Sequence, residues 1–152
     1  MTTSETARRS NAETANVRLV DDLYAALNER DPSAATHLLH EDVTWTVPDS
    51  LPAGGAYRGR AAVNAYLASL DEAWHALELH PERFIEDGRH VAVTGQTAMT
   101  SALTGETDHI GFAHVVTVQG GKIAAFDEFT DTARMARLIG DTVAPDRAHI
   151  TD

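Results

Sequence analysis

The sequence predicts an α+β domain: helices in the first half, packed on one face of a curved antiparallel sheet built from the second half. Three observations carry this. Apolar residues recur at helical spacing in the segments 17–30 and 59–70. From Leu77 onward they run in β-type stretches separated by the turn dipeptides Asp87-Gly88, Thr104-Gly105 and Gly120-Gly121. The 152 residues, 43% hydrophobic and only 23% charged, suffice for one packed core and exclude a disordered chain.

Residues 1–16 are polar and are expected to form a mobile tail. They hold neither the apolar run of about 7–15 residues of a signal peptide nor a span of about 20, so a cytoplasmic setting is expected. The domain proper is expected over 17–140, with a second tail at 141–152. Val17, Val20, Leu23, Tyr24 and Leu27 share one helical face. Asp31 and Pro32 suit the N-cap and first position of a short second helix, SAATHLLH. In Asp42 to Val47, Val43, Trp45 and Val47 alternate with polar neighbours, the mark of a half-buried strand that Pro48 ends. The segment 48–58 reads as a loop. Gly59 to Leu70 reads as a helix with Val63, Tyr66, Leu67 and Leu70 on one face. Leu77 to Ile85 is a strand broken by Pro81, hence an edge strand or a bulge. Strands follow at 91–102, 107–118 and 122–130, and a short helix capped by Asp131 closes the domain.

Composition narrows the chemistry. The chain has no cysteine, which removes disulfides, thiolate zinc sites, iron–sulfur clusters and a cysteine nucleophile. A net charge of −11 argues against nucleic acid and anionic membranes as partners. Eight histidines are many for this length. His37 and His40 have a spacing a metal could use but lack a third ligand nearby, and no metal is expected. His109 and His114 point to opposite faces of one strand.

The final hairpin is the informative segment. Ile110, Phe112, His114, Val116 and Val118 share a face that is apolar except for His114. A two-residue turn at Gly120-Gly121 puts Asp127 opposite His114. A longer turn or one bulge puts Glu128 there instead. Either way a histidine meets a carboxylate across apolar strands, with directly opposed Cβ atoms about 4.5–5.5 Å apart. Such a pair suits acid–base work near neutral pH, or else satisfies two half-buried polar groups. Trp45 and Tyr66 face inward as core aromatics or as the wall of a ligand pocket. Tyr57 sits where it can donate a hydrogen bond at the pocket mouth, or lie on the surface.

Taken together, LYAALNERDPSAATHLLHEDVTWTVPDS, AYRGRAAVNAYL and HVVTVQGGKIAAFDEFTDTARM resemble the SnoaL-like, ketosteroid-isomerase-like branch of the NTF2-like superfamily over about residues 17–138. The resemblance implies a cone-shaped barrel, its curved sheet wrapped around a pocket closed by helices, and a homodimer formed through the outer sheet face. It implies a pocket acid on the last strand at Glu128 and a histidine on the strand before it, His114. In that register Phe126, Glu128 and Thr130 face the pocket, with Phe112 beside His114. The steroid isomerases' base falls at Val47, so that base is missing. Their oxyanion-hole tyrosine falls at or beside Leu23, with Tyr24 adjacent. The epoxide hydrolases' Asp–Arg–Asp set has no match.

The expected function is a cofactor-independent acid–base enzyme, a polyketide cyclase or isomerase, acting on a hydrophobic carbonyl-bearing small molecule. The expected site is His114 and Glu128, with Trp45, Tyr57, Tyr66, Phe112, Phe126 and Asp127 around the substrate. The alternatives are a non-catalytic binding module, favoured by a cavity under about 300 Å³, and an epoxide-opening or hydroxylating relative.

Overall fold

Helix α1 (Ala15–Asn28) opens the fold in a computed structural model that describes residues 13–140. Most of the two expected tails therefore lies outside the described residues. The helix starts two positions earlier than its apolar pattern suggests, because the Thr14 hydroxyl accepts from the Val17 amide at 3.2 Å and caps it. Val20, Leu23 and Tyr24 are buried. Helix α2 (Pro32–Thr36) has the expected Asp31 cap and Pro32 start but ends before His37. His40, expected on that helix, lies on strand β1 (Leu39–Val47).

The loop expected at 48–58 contains a short strand, β2 (Gly55–Arg58), paired antiparallel with β1. Helix α3 (Arg60–Ala73) leads directly into β3 (Trp74–Asp87). Strands β4 (His90–Ser101), β5 (Thr107–Gln119) and β6 (Lys122–Thr130) follow, then helix α4 (Thr132–Leu138). Pro81 satisfies both of its expected conditions. Strand β3 is an edge of the sheet, and its register with β4 shifts between Pro81 and Arg83.

The strands form one curved sheet in the order β2-β1-β6-β5-β4-β3. Two corrections to the expected barrel follow. The sheet is mixed, because β1 runs parallel to β6 while its other pairings are antiparallel. It is also open, since β2 and β3 remain separate edges. Long β3, β4 and β5 curl, and α1 and α3 cover the concave side: α1 packs against β3, β4 and β6, and α3 against β1, β2 and β3. The period-2 alternation puts Val91, Val93, Ile110, Val116, Ile123 and Val43 into a fully buried core. Gly95 marks a close crossing, where an added Cβ would lie 2.3 Å from the His80 carbonyl oxygen and 2.9 Å from the Phe112 ring.

Candidate functional site

The hairpin register decides what enters the concave face. Gln119 pairs with Lys122 and Val118 with Ile123, as the two-residue turn demands. Gly120 and Gly121 both take positive φ, 58° and 75°, the conformations a tight turn needs and glycine adopts freely. One bulge at Ala124 then shifts the frame, so that Thr117 pairs with Ala125 and His114 with Glu128. Both devices weighed in the sequence are therefore present in series. Asp127 consequently points to the outer face, opposite Val115 and beside Thr46, and is not among the cavity-lining residues. Its expected place beside the substrate is corrected by that bulge.

The concave face encloses a cavity of about 190 Å³. Trp45, Tyr66, Phe112, His114, Phe126 and Glu128 line it, and Leu51, Pro52 and Ala53 of the β1–β2 loop stand at its rim. Trp45 on β1 stacks on Phe126 on β6 with ring centroids 3.9 Å apart. The two residues are register partners across the parallel β1–β6 pair. Phe112 stacks on His114 at 4.1 Å, and Phe126 tilts against the same imidazole at 4.6 Å. Tyr57 lies outside the lining. Its ring packs on Tyr66 at 4.6 Å, and its hydroxyl donates to the Ala53 carbonyl at 2.6 Å. The hydroxyl expected at the pocket mouth thus braces the rim loop.

The acid and the imidazole of the wall carry opposite perturbations from one cause. Burial pushes the Glu128 carboxyl up to about 7, because an anion is costly among apolar side chains. Burial holds the His114 imidazole down to about 3, so it is neutral. His114 and Glu128 face each other across the strand pair without a hydrogen bond between them. The partner of His114 is Tyr24, whose hydroxyl lies 2.8 Å from Nδ1. Tyr24 is the residue that sequence reasoning left out of the site. Its signal was available: it shares the inward helical face with Val20 and Leu23, and the resemblance put a tyrosine position beside it. Burial and the Glu128 charge raise both Tyr24 and Tyr66 above the ordinary tyrosine range, so both remain phenols.

His37 and His40 do not converge. His37 Nδ1 bonds locally to the Ser33 carbonyl, and His40 Nδ1 accepts from the Asp42 amide. Among the described residues no group of three His, Asp or Glu side chains is placed to hold a metal ion. No described helix is long and apolar enough to cross a membrane.

A family model described as the SnoaL-like domain matches residues 20–126, most of the described fold, and ends at Phe126 within β6, two residues before Glu128. The chain belongs to the SnoaL-like family. Among solved structures, the SnoaL-like chain is similar to an NTF2-like protein of unknown function from Burkholderia pseudomallei, with 31% identity and a TM-score of 0.78. That match covers 83% of this chain and 98% of the other. It is similar to TerC, crystallised with polyporic acid, at 28% identity and a TM-score of 0.78, over 84% of this chain and 99% of TerC. A candidate polyketide cyclase from Xanthomonas campestris shares the fold, with a TM-score of 0.75 at 19% identity, over 84% of this chain and 98% of that one. No curated protein matches the chain. The SnoaL-like domain therefore has the expected α+β, NTF2-like architecture, while its chemistry rests on the cavity itself.

Proposed function

We propose that this SnoaL-like domain is a cofactor-independent acid–base enzyme for a small, hydrophobic, carbonyl-bearing compound, of the polyketide cyclase or isomerase type. One observation carries the reading: a lone carboxyl, Glu128, held near neutrality by burial, opens into an apolar cavity directly across the strands from a neutral histidine. A base whose pKa matches the working pH is the most effective at moving a proton. In the proposed step Glu128 takes the proton on carbon alpha to the carbonyl. The C–H electron pair passes into the enolate, whose oxygen rests against His114. The enolate then either attacks a second carbonyl of the substrate, closing a ring whose new alkoxide takes the proton back from Glu128, or, in an unsaturated ketone, takes that proton back at the far end of the conjugated dienolate, completing an isomerisation. Fixed hydrogen-bond donors stabilise such an oxyanion without a cofactor. The cavity of about 190 Å³ admits roughly one ring, since an apolar cavity of about 150 Å³ holds benzene. The similar protein TerC, crystallised with polyporic acid, supports an organic ligand for this chain.

The test is deuterium exchange alpha to the carbonyl of single-ring ketones in D2O, followed by NMR. The wild-type protein is expected to accelerate exchange and Glu128→Gln to abolish it with the fold intact. Exchange that survives the substitution removes Glu128 from the chemistry. The cavity volume, below about 300 Å³, favours a second reading, a binding module without turnover. Ligand uptake by both wild type and Glu128→Gln, without exchange in either, selects it. An epoxide-opening relative gains no support, because no arginine lines the cavity.

We also propose the homodimer through the outer sheet face, where Phe129 is 57% exposed. A monomeric mass by light scattering at micromolar concentration rejects it.

A further inference from the structure

We propose that Tyr24 is a positioning residue: its hydroxyl donates to Nδ1 of His114 and thereby fixes the imidazole proton on Nε2, where it faces the cavity and binds an acceptor oxygen of a neutral ligand. The 2.8 Å contact between the Tyr24 oxygen and Nδ1 can be made in two ways. If Nδ1 carried the proton, the phenol oxygen would accept it, and the phenol's own hydrogen would need a second acceptor. His114 Nδ1 is the one partner the Tyr24 hydroxyl has among the described residues. That arrangement would strand a buried donor, which costs more than a hydrogen bond returns. With Tyr24 donating, the phenol hydrogen and Nδ1 satisfy each other. A neutral imidazole has one N–H, so its proton then sits on Nε2.

Packing leaves neither ring free to choose otherwise. Tyr24 is 2% exposed. Its ring meets Phe84 edge-on at 6.2 Å and lies roughly parallel to Phe112 at 6.1 Å and to His114 at 5.8 Å. Phe112 covers one face of the imidazole at 4.1 Å. The Nε2 atom has no protein partner among the described residues, yet Trp45 Nε1 is the sole sealed, unpartnered side-chain polar atom among them. Nε2 therefore retains access, and the cavity that His114 lines is where it opens. No lysine or arginine lines that cavity, so a carbonyl or ether oxygen is favoured there over a carboxylate or phosphate. The donor on His114 and the acceptor on Glu128 then stand on neighbouring strands, which divides the two roles that a histidine–carboxylate pair leaves open.

The assignment deepens the acid–base reading, but the tautomer is read without any turnover. The experiment is a long-range 1H–15N correlation spectrum of the imidazoles in the full-length, 15N-labelled protein, with His114→Gln used to assign the signals. Wild type is expected to show His114 protonated at Nε2 and bare at Nδ1. Tyr24→Phe is expected to lose that single pattern and shift toward a mixture of tautomers. Adding cyclohexanone is expected to move the wild-type Nε2–H resonance, and adding methylcyclohexane to leave it in place. A wild-type Nδ1–H tautomer overturns the proposal, as does a Tyr24→Phe spectrum identical to wild type in a folded protein. Equal responses to the two ring compounds overturn the acceptor-oxygen site. If Tyr24→Phe does not fold, the wild-type tautomer and the two additions still decide. Loss of exchange activity in Glu128→Gln with the Nε2–H pattern intact, or the reverse, separates the two proposals.

Discussion

Replacing Glu128 with glutamine removes a charge and leaves the shape nearly unchanged, which makes it the sharpest probe of the cavity. The carboxyl moves from its ordinary 4.5 to about 7 on folding. At about 1.4 kcal/mol for each tenfold change in proton affinity, the buried anion costs the native state about 3 kcal/mol. The sign follows from linkage. Between pH 4.5 and 7 the native protein holds the proton that the unfolded chain has released. The contribution of Glu128 to stability is thus fully present below 4.5, is lost as pH rises, and levels off above 7. Glutamine does not ionise, so the stability of Glu128→Gln relative to wild type should climb by about 2–3 kcal/mol between pH 5 and pH 8. Urea unfolding of both proteins at pH 5, 6, 7 and 8 measures this directly, and the titration of every other group cancels in the difference. A difference that stays flat across that range, or falls, would refute the claim that the carboxyl is buried in an apolar wall. The same variant would then gain stability where it loses chemistry, as a residue kept for function should.

His114→Gln should act in the opposite pH range. The wild-type imidazole is held near 3, against an ordinary 6.5, so its contribution is present above 6.5 and fades as acid is added. The wild-type protein should lose about 3 kcal/mol more than the variant between pH 6.5 and pH 4, measured by urea unfolding. Gly95→Ala forces a methyl group against the His80 carbonyl and the Phe112 ring, and should cost about 1–3 kcal/mol in a thermal or urea melt. Phe112→Ala removes a wall of the cavity. It should destabilise the fold by about 3–5 kcal/mol and, in protein that stays folded, let the site accept ligands larger than one ring in a thermal-shift panel. Asp131→Ala deletes the cap that accepts from the Arg134 amide and should cost about 1 kcal/mol, visible as faster amide exchange in α4.

Periodicity was a sound guide wherever one face of an element is buried against the core. Helices α1 and α3 and strands β4 to β6 follow their apolar patterns, because each must hide one side. It was a weak guide where the partner is remote in sequence. The parallel β1–β6 pairing joins residues some eighty positions apart, and nothing local to Leu39–Val47 announces a parallel neighbour. The four-residue β2 hides in a segment rich in proline and glycine, where breakers outnumber strand formers. In the site, His114 and both acids were visible, but only the resemblance favoured Glu128 over Asp127, because a bulge has no signature of its own in Ile123-Ala124-Ala125. Tyr24 was legible as an inward aromatic beside the tyrosine position the resemblance implies, but its contact with His114 was not, since that partner lies ninety residues away.

Strand β6 carries two nearly interchangeable faces. One offers Phe126 and Glu128 to the interior. The other, one step out of phase, offers Asp127 and Phe129: again an acid and an aromatic, now on the outer side with Phe129 largely bare. Hydrophobic patterning discriminates poorly between such faces, and with the bulge ironed flat Asp127 would meet His114. The stack of Phe126 on Trp45 and the docking of β6 beside β1 break the tie. In the vocabulary of folding landscapes this is a locus of local frustration. A mutation that loosens the β1–β6 seam would yield a mixture of two registers as well as a weaker protein, each with a carboxylate before the same histidine and one reaching a methylene less far.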